Sequence, residues 1–341
     1  MSRLFISYSR LFRLSGLIGF SMSPIFGALS LVQIGVQVNL LTLFLLLLIG
    51  VFKTIHGSVM NDFFDIEVDR LSQDPNKRPL VSGDISKNTV IVIALMTVIF
   101  TFVIFFGYFY RNQPSFYYAL FFIIIAAVVG NIYNKYGKRF VGSDFLVGFA
   151  EGIFVLIGAY LVSPDGQLSI FTWVIFLLVF NQYLFMNMIV GGMKDADHDF
   201  LIGVKNVAIK TGVILTKDKE IHLPINFIII GLIIRFISAF LVFLPFIFYK
   251  VFFELWEIAI ILLVVGMVLL LTFKLFNLKS FVQHKKVLGL FAFQGVLRYS
   301  FVPFLLMPVI GLTSTVGLIL LPLIWYLLIM IKSRQDIAPN L

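Results

Sequence analysis

Cysteine is absent from the chain, which excludes disulfides, thiolate nucleophiles and cysteine-bound metals. Charge is scarce as well: 13% of residues are charged, where soluble globular domains carry about a quarter. Strand-length alternation of apolar and polar residues is missing, which argues against a transmembrane barrel. The basic, aromatic start, "MSRLFISYSRLFRLSG", leads to no small-residue cleavage site, so it reads as an interfacial segment and not as a removed signal.

What is there is oil. Hydrophobic residues make up 60% of the 341 positions. They fall in runs of roughly twenty, each long enough to cross a ~30 Å hydrocarbon core as a helix. Ten such runs lie near 15–36, 39–60, 89–110, 115–134, 143–162, 169–191, 225–248, 255–276, 288–311 and 314–331. The ninth is the weakest, because Arg298 and Pro303 lie inside it. The expected fold class is an all-α polytopic membrane protein. Residues 1–341 would form a single transmembrane domain, with no room for a soluble one.

Charge placement tests the count. With ten spans, twenty-one of the 26 cations fall at the N-terminus, at the C-terminus or in the even-to-odd loops. The opposite side has only Arg111 and Lys250, and Lys53, Arg235 and Arg298 lie within spans. The cation-rich side is therefore expected to be cytoplasmic, with both termini there, in a multi-pass protein of the cell membrane. The net charge of +9 fits loops held against anionic lipid better than a nucleic-acid partner. No obligate protein partner is evident.

The carboxylates gather on that same side. In "NDFFDIEVDR" (61–70), Asn61, Asp65 and Asp69 share one helical face at i, i+4 and i+8, with Asp62 near the same sector. In "KDADHD" (194–199), Asp195 and Asp199 are at i and i+4, and Asp197 turns away. Crowded carboxylates repel unless a cation sits between them. Oxygen ligands without cysteine or paired histidine favour magnesium, which binds through a few carboxylates plus substrate phosphate. Arg70, Lys77, Arg78 and Lys205 are near in sequence to meet the remaining phosphate charge. The endings "GSVMND" and "GGMKDA" suggest two related four-helix units delivering their motifs at equal depth. Inside the spans, Glu151 reads as a base or as a partner of Arg298 or Lys53, and His56 as a packing residue or a diphosphate contact.

The acidic segments resemble those of the UbiA-type intramembrane prenyltransferases. "NDFFDIEVDR" matches their NDxxDxxxD motif and "RPLVSG" (78–83) the segment after it. "DADHD" and "GVKNVA" match the second DxxxD motif and its downstream stretch. "YNKYGKR" (133–139) looks like the Tyr-and-Lys segment that ends the family's fourth helix, which brings Tyr133 and Lys135 in as substrate contacts. The resemblance implies a UbiA-like bundle of nine core helices around a cavity open to lipid, with the last span as a tenth. It also implies magnesium-dependent transfer of a polyprenyl group from its diphosphate to a lipophilic acceptor, either an aromatic ring or an isoprenoid glyceryl phosphate. By position, Asn61, Asp62, Asp65, Asp69, Asp195 and Asp199 would hold the ions. Thr54 stands where many members with aromatic acceptors have arginine. Rival readings are a terpene cyclase on the same scaffold, a transporter of a phosphorylated solute or divalent cation, and a non-catalytic scaffold.

Overall fold

The structure, a computed structural model, describes residues 3–70, 78–111, 113–216, 220–248, 253–278 and 284–333. Lys77, Lys217, Lys219, Lys250 and Arg334 of the cation tally lie outside the described residues, as do the side chains of Asp197 and Arg298. The chain begins with α1 (Arg3–Leu11), α2 (Leu17–Phe20), α3 (Ser23–Ser30), α4 (Leu40–Phe64), α5 (Ile66–Arg70) and α6 (Pro79–Ser82). It continues through α7 (Lys87–Tyr108), α8 (Pro114–Tyr136), α9 (Asp144–Val162) and α10 (Ile170–Leu184). A π-helical stretch, Phe185–Gly191, leads into the short α11 (Gly192–Lys194), α12 (Ala196–Leu201) and α13 (Val207–Thr211). A two-residue hairpin, β1 (Ile214–Leu215) against β2 (Ile221–His222), precedes α14 (Ile225–Phe248), α15 (Leu255–Phe276) and α16 (His284–Ser333).

Among the described residues, eight helices are long and apolar enough to cross a membrane. Their starts are capped locally. Asn39 accepts from the Thr42 amide at 2.8 Å, and Ser86 and Ser169 do the same for Thr89 and Thr172, which satisfies an amide that the first turn leaves unbonded. The expected first span, 15–36, is not one helix. The backbone breaks at Ser21–Met22 before Pro24 starts α3, and Gly35 (φ 87°) stops the 3₁₀ turn Leu31–Ile34 that follows. The expected ninth and tenth spans run together as α16, interrupted at Gly311 (φ 79°, ψ 162°), where the sequence boundary was placed.

The helix α9 lies at the centre, packed by α3, α8 and α10. Lipid supplies no hydrophobic drive between helices, so close backbone approach and interhelical hydrogen bonds must do the work. At Gly158 a β-carbon would meet the Pro24 carbonyl at 1.9 Å, and at Gly27 it would meet the Val155 carbonyl at 1.8 Å. Only glycine allows that crossing. Ser30 and Thr172 bond side chain to side chain at 2.6 Å, and Ser169 reaches the Ser30 carbonyl at 3.0 Å. The outer faces of α7 and α8 are apolar and exposed, as lipid-facing helices are, at Leu95, Ile99, Val103, Phe121 and Ile124. The last helix returns to the first: the Trp325 indole donates to the Leu14 carbonyl at 2.7 Å.

Candidate active site

The first acidic motif is an unbroken continuation of α4. The Asp65 amide donates to the Asn61 carbonyl at 3.0 Å and the Asp69 amide to the Asp65 carbonyl at 2.8 Å, so the i, i+4, i+8 spacing becomes one face. Asp62 and Asp65 are buried, and the Asp69 side chain is 11% exposed. Three cations reach in. Arg78 pairs with Asp62 and brings its Nε to 3.1 Å from Asp69 Oδ2. Lys138 pairs with Asp65 at 3.0 Å. Arg13 donates to Asn61 Oδ1 at 2.8 Å, while Asn61 Nδ2 lies 3.3 Å from Asp65 Oδ2.

Arg78 is held in place from the N-terminus. It precedes α6, and Asp84 just beyond that helix accepts from Ser7 at 3.0 Å and pairs with Arg3 at 2.7 Å. Arg13 sits on the other end of α1, at φ 49°, the one positive φ outside glycine among the described residues. Its position is that of a helix-ending left-handed cap, with the Leu14 amide bonded to the Ser9 carbonyl at 2.9 Å. Glycine would take that conformation without the cost of about 1 kcal/mol or more that a side chain incurs there. The arginine's hydrogen bond to Asn61 is what the glycine would lose.

The second motif is built differently. The Asp195 amide donates to the Gly191 carbonyl, at the end of the π-helical stretch, at 2.9 Å, and the Asp199 amide to the Asp195 carbonyl at 2.8 Å. Asp199 is buried and accepts from Asn206 Nδ2 at 2.7 Å, whereas Asp195 is exposed at the rim. Asn206 also caps α13 through the Ile209 amide at 2.8 Å. The Lys205 amide donates to the Lys138 carbonyl at 3.0 Å, which joins the second motif's loop to the end of α8. The two motifs feel one another: Asp65 and Lys138 both act on Asp199.

Burial, with Asp195 close by, pushes the Asp199 carboxyl up to about 7, against the opposing effects of Lys138 and Asn206. Asp69 is raised too, chiefly by burial, although Arg78 and Lys138 pull it down. Burial works against the Arg78 charge, but Asp62, Asp69 and Asp65 more than offset it and hold the guanidinium firmly protonated.

Of the residues expected from sequence, Asn61, Asp62, Asp65, Asp69, Asp199 and Arg78 thus come together, with Asp195 at their edge. Tyr133 is half-buried where Asp144, Arg13, Asp65 and Asp195 all act on it. Arg70, Lys135 and Lys205 are exposed. Lys135 lies 5.1 Å over the Tyr136 ring and lines an open apolar groove of about 400 Å³ with Phe64 and Asn131. His56 packs against α7, with Nδ1 3.3 Å from the Ala94 carbonyl and from Thr97 Oγ1. Glu151 pairs with Lys53. Arg13, Lys138 and Asn206 are the additions. Lys138 lay within the quoted "YNKYGKR", but which lysine turns inward depends on where α8 ends.

Among the described residues no three carboxylates or imidazoles stand close enough to hold an ion as they are. Arg78 and Lys138 occupy the space between them. The donors nonetheless fit magnesium, since they are hard oxygens only. Asp69 Oδ2 is buried without a hydrogen bond, Arg78 being close to it but off axis.

The model of the UbiA prenyltransferase family matches residues 21–294. The chain is 28% identical over 207 residues to the digeranylgeranylglyceryl phosphate synthase of Methanocaldococcus jannaschii, covering 60% of this chain and 68% of that one. It is 25% identical over 183 residues to the 4-hydroxybenzoate octaprenyltransferase of Pseudomonas syringae pv. tomato, covering 51% of this chain and just over half, 55%, of the relative's length. In fold it is similar to a UbiA homolog from Archaeoglobus fulgidus bound to GPP and Mg2+, with TM-score 0.61 at 18% identity, covering 88% of this chain and 99% of that one.

Proposed function

Because the chain belongs to the UbiA prenyltransferase family, we propose that it transfers a polyprenyl group from a polyprenyl diphosphate to a lipophilic acceptor, with magnesium held between the two acidic motifs. The observation that carries this reading is the convergence of Asp62, Asp65, Asp69 and Asp199 with Arg78, Lys138 and Arg13 at the helix ends. A transporter would place such acids near the bilayer midplane.

Asn61, Asp65, Asp69, Asp195 and Asp199 would hold the ions, with Asp62 supporting them through Arg78. Magnesium bound there would stabilise the negative charge that develops as the diphosphate leaves. Arg13, Arg78 and Lys138, now paired with the motif side chains, would turn to phosphate oxygens once the carboxylates are otherwise engaged. Arg70, Lys135, Lys205 and Tyr133 would act at longer range, at the mouth. The apolar, aromatic interior keeps water from the allylic cation. The two sequence relatives prenylate an aromatic acid and a glyceryl phosphate by their names, and both acceptor classes belong in the assay. Residues 1–341 act as one transmembrane domain in this reading, with the site on the cytoplasmic side of the cell membrane, as the cation tally indicates. A reporter active only in the cytoplasm, fused after Leu341, should be active.

Purified protein given labelled geranylgeranyl diphosphate, magnesium and each acceptor tests the activity. Asp65→Ala and Asp195→Ala should each lower transfer on the order of 10³-fold while remaining folded in detergent. Near wild-type transfer by either variant would remove that motif from the mechanism.

A further inference from the structure

Deeper in the bundle lies a second charged group that the diphosphate end does not use. Lys53 pairs with Glu151 and donates to the Phe20 carbonyl at 3.0 Å, with side chains 8% and 20% exposed respectively. The Lys53 ammonium lies 5.2 Å over the Phe154 ring and 5.9 Å over the Tyr183 ring. Tyr183 hydrogen-bonds Glu151 and is also within electrostatic reach of Arg13, the residue bonded to Asn61. Ionised groups at this depth are costly and mark function when they line a cavity.

Position and chemistry agree on what the pair faces. Lys53 precedes Asn61 by eight residues on α4, or roughly 12 Å along the axis. That gap holds a diphosphate, its reacting carbon and one acceptor oxygen. An ammonium has three protons to give, and Lys53 is already committed to a carboxylate, a carbonyl and two ring faces. It has little to offer an anionic acceptor. A carboxylate has about four acceptor positions, of which Lys53 and Tyr183 account for two. Glu151 can therefore receive a hydroxyl proton, while an acceptor carboxylate placed there would set anion against anion.

We propose that Glu151 is the catalytic base for a neutral hydroxyl acceptor, so that the acceptor is an alcohol and the product an ether. Lys53 and Tyr183 are positioning residues that keep the carboxylate ionised and aimed. The assignment rests on the prenyl-transfer reading of this cavity. The carbon–oxygen bond to the diphosphate breaks, with its electron pair leaving on the diphosphate. A lone pair of the acceptor oxygen forms the new carbon–oxygen bond, and the hydroxyl proton passes to Glu151. No oxidant or reductant is needed.

The test uses the full-length protein in nanodiscs with labelled geranylgeranyl diphosphate, magnesium, and either an O-alkylglycerol or 4-hydroxybenzoate. Labelled ether should form with the alkylglycerol, and no prenylated benzoate should form. Glu151→Gln should reduce ether formation by about 100-fold or more, while equilibrium dialysis finds geranylgeranyl diphosphate still bound. Lys53→Arg should restore most of the ether formation that Lys53→Met loses. The double variant Lys53→Met/Glu151→Gln removes both charges together and separates chemistry from folding: it should unfold at the wild-type temperature and remain inactive. Prenylation of the benzoate alone, or near wild-type ether formation by Glu151→Gln with binding intact, overturns this assignment and leaves the prenyl-transfer reading standing. Failure of the wild-type protein to bind geranylgeranyl diphosphate overturns both.

Discussion

Asp62, Asp65 and Asp69 each lie beside a cationic side chain, Arg78 or Lys138, whereas Asp199 is bonded by a neutral amide and Asp195 is exposed. The two motifs have matching spacing and opposite support. A buried carboxylate beside a guanidinium stays charged, but one beside an amide is left to the effects of burial and of its neighbours. The Asp199 carboxyl, near 7, shows the result. The first motif is preassembled by the protein's own cations, and the second depends more on the ion it is to receive.

Arg78→Ala should have the largest effect on that contrast. Breaking a wholly buried pair costs about 3–5 kcal/mol. Arg78 is 35% exposed, so a loss of about 1–2 kcal/mol is expected after allowing for solvent screening. Thermal unfolding in detergent with a chelator reads it, and added magnesium should recover much of the loss by taking the guanidinium's place. An equal, magnesium-insensitive loss in Asn206→Ala would erase the distinction between the motifs.

The pH dependence sharpens it next. Below about 7 Asp199 carries a proton that a divalent cation must displace. Magnesium affinity should therefore fall by up to about tenfold per pH unit as pH drops below that point, and level off above it. Magnesium titrations followed by tryptophan fluorescence between pH 5.5 and 8 would show this. The slope should disappear in Asp199→Asn, and persistence there would assign it to the first motif.

The smallest effect belongs to Ser7→Ala, which removes a hydrogen bond to Asp84 worth about 1 kcal/mol. Transfer should fall only a few-fold, through a looser Arg78, and rise again with excess magnesium. A change in the pH slope would mean that α1 acts on the second motif as well.

Much of this was legible because it is local. The acids, their i and i+4 spacing and the apolar runs are read from neighbours in the chain, and the structure keeps them. The partners are not local. Arg13 reaches Asn61 across 48 positions, and nothing in "MSRLFISYSRLFRLSG" says that its last arginine turns inward while others stay outside. The tenfold division of spans failed at 15–36 because Pro24 and Gly35 cut an apolar run that hydropathy alone joins. The expected likeness of the two motif-bearing helices failed for a similar reason: α4 runs straight into its acids, while the second set follows a π-helical stretch that periodicity does not signal.

That stretch, Phe185–Gly191, has a consequence for how this chain can vary in length. A π turn accommodates a residue beyond the α-helical count. Deleting one residue between Tyr183 and Asp195 would let the helix close into regular α form, at little cost in backbone bonding. Everything after it would swing by roughly 100°, and Asp195 and Asp199 would turn away from Asp65 together. Substitutions in this segment should therefore be tolerated far better than a single-residue deletion, which would leave a well-folded helix aimed in the wrong direction.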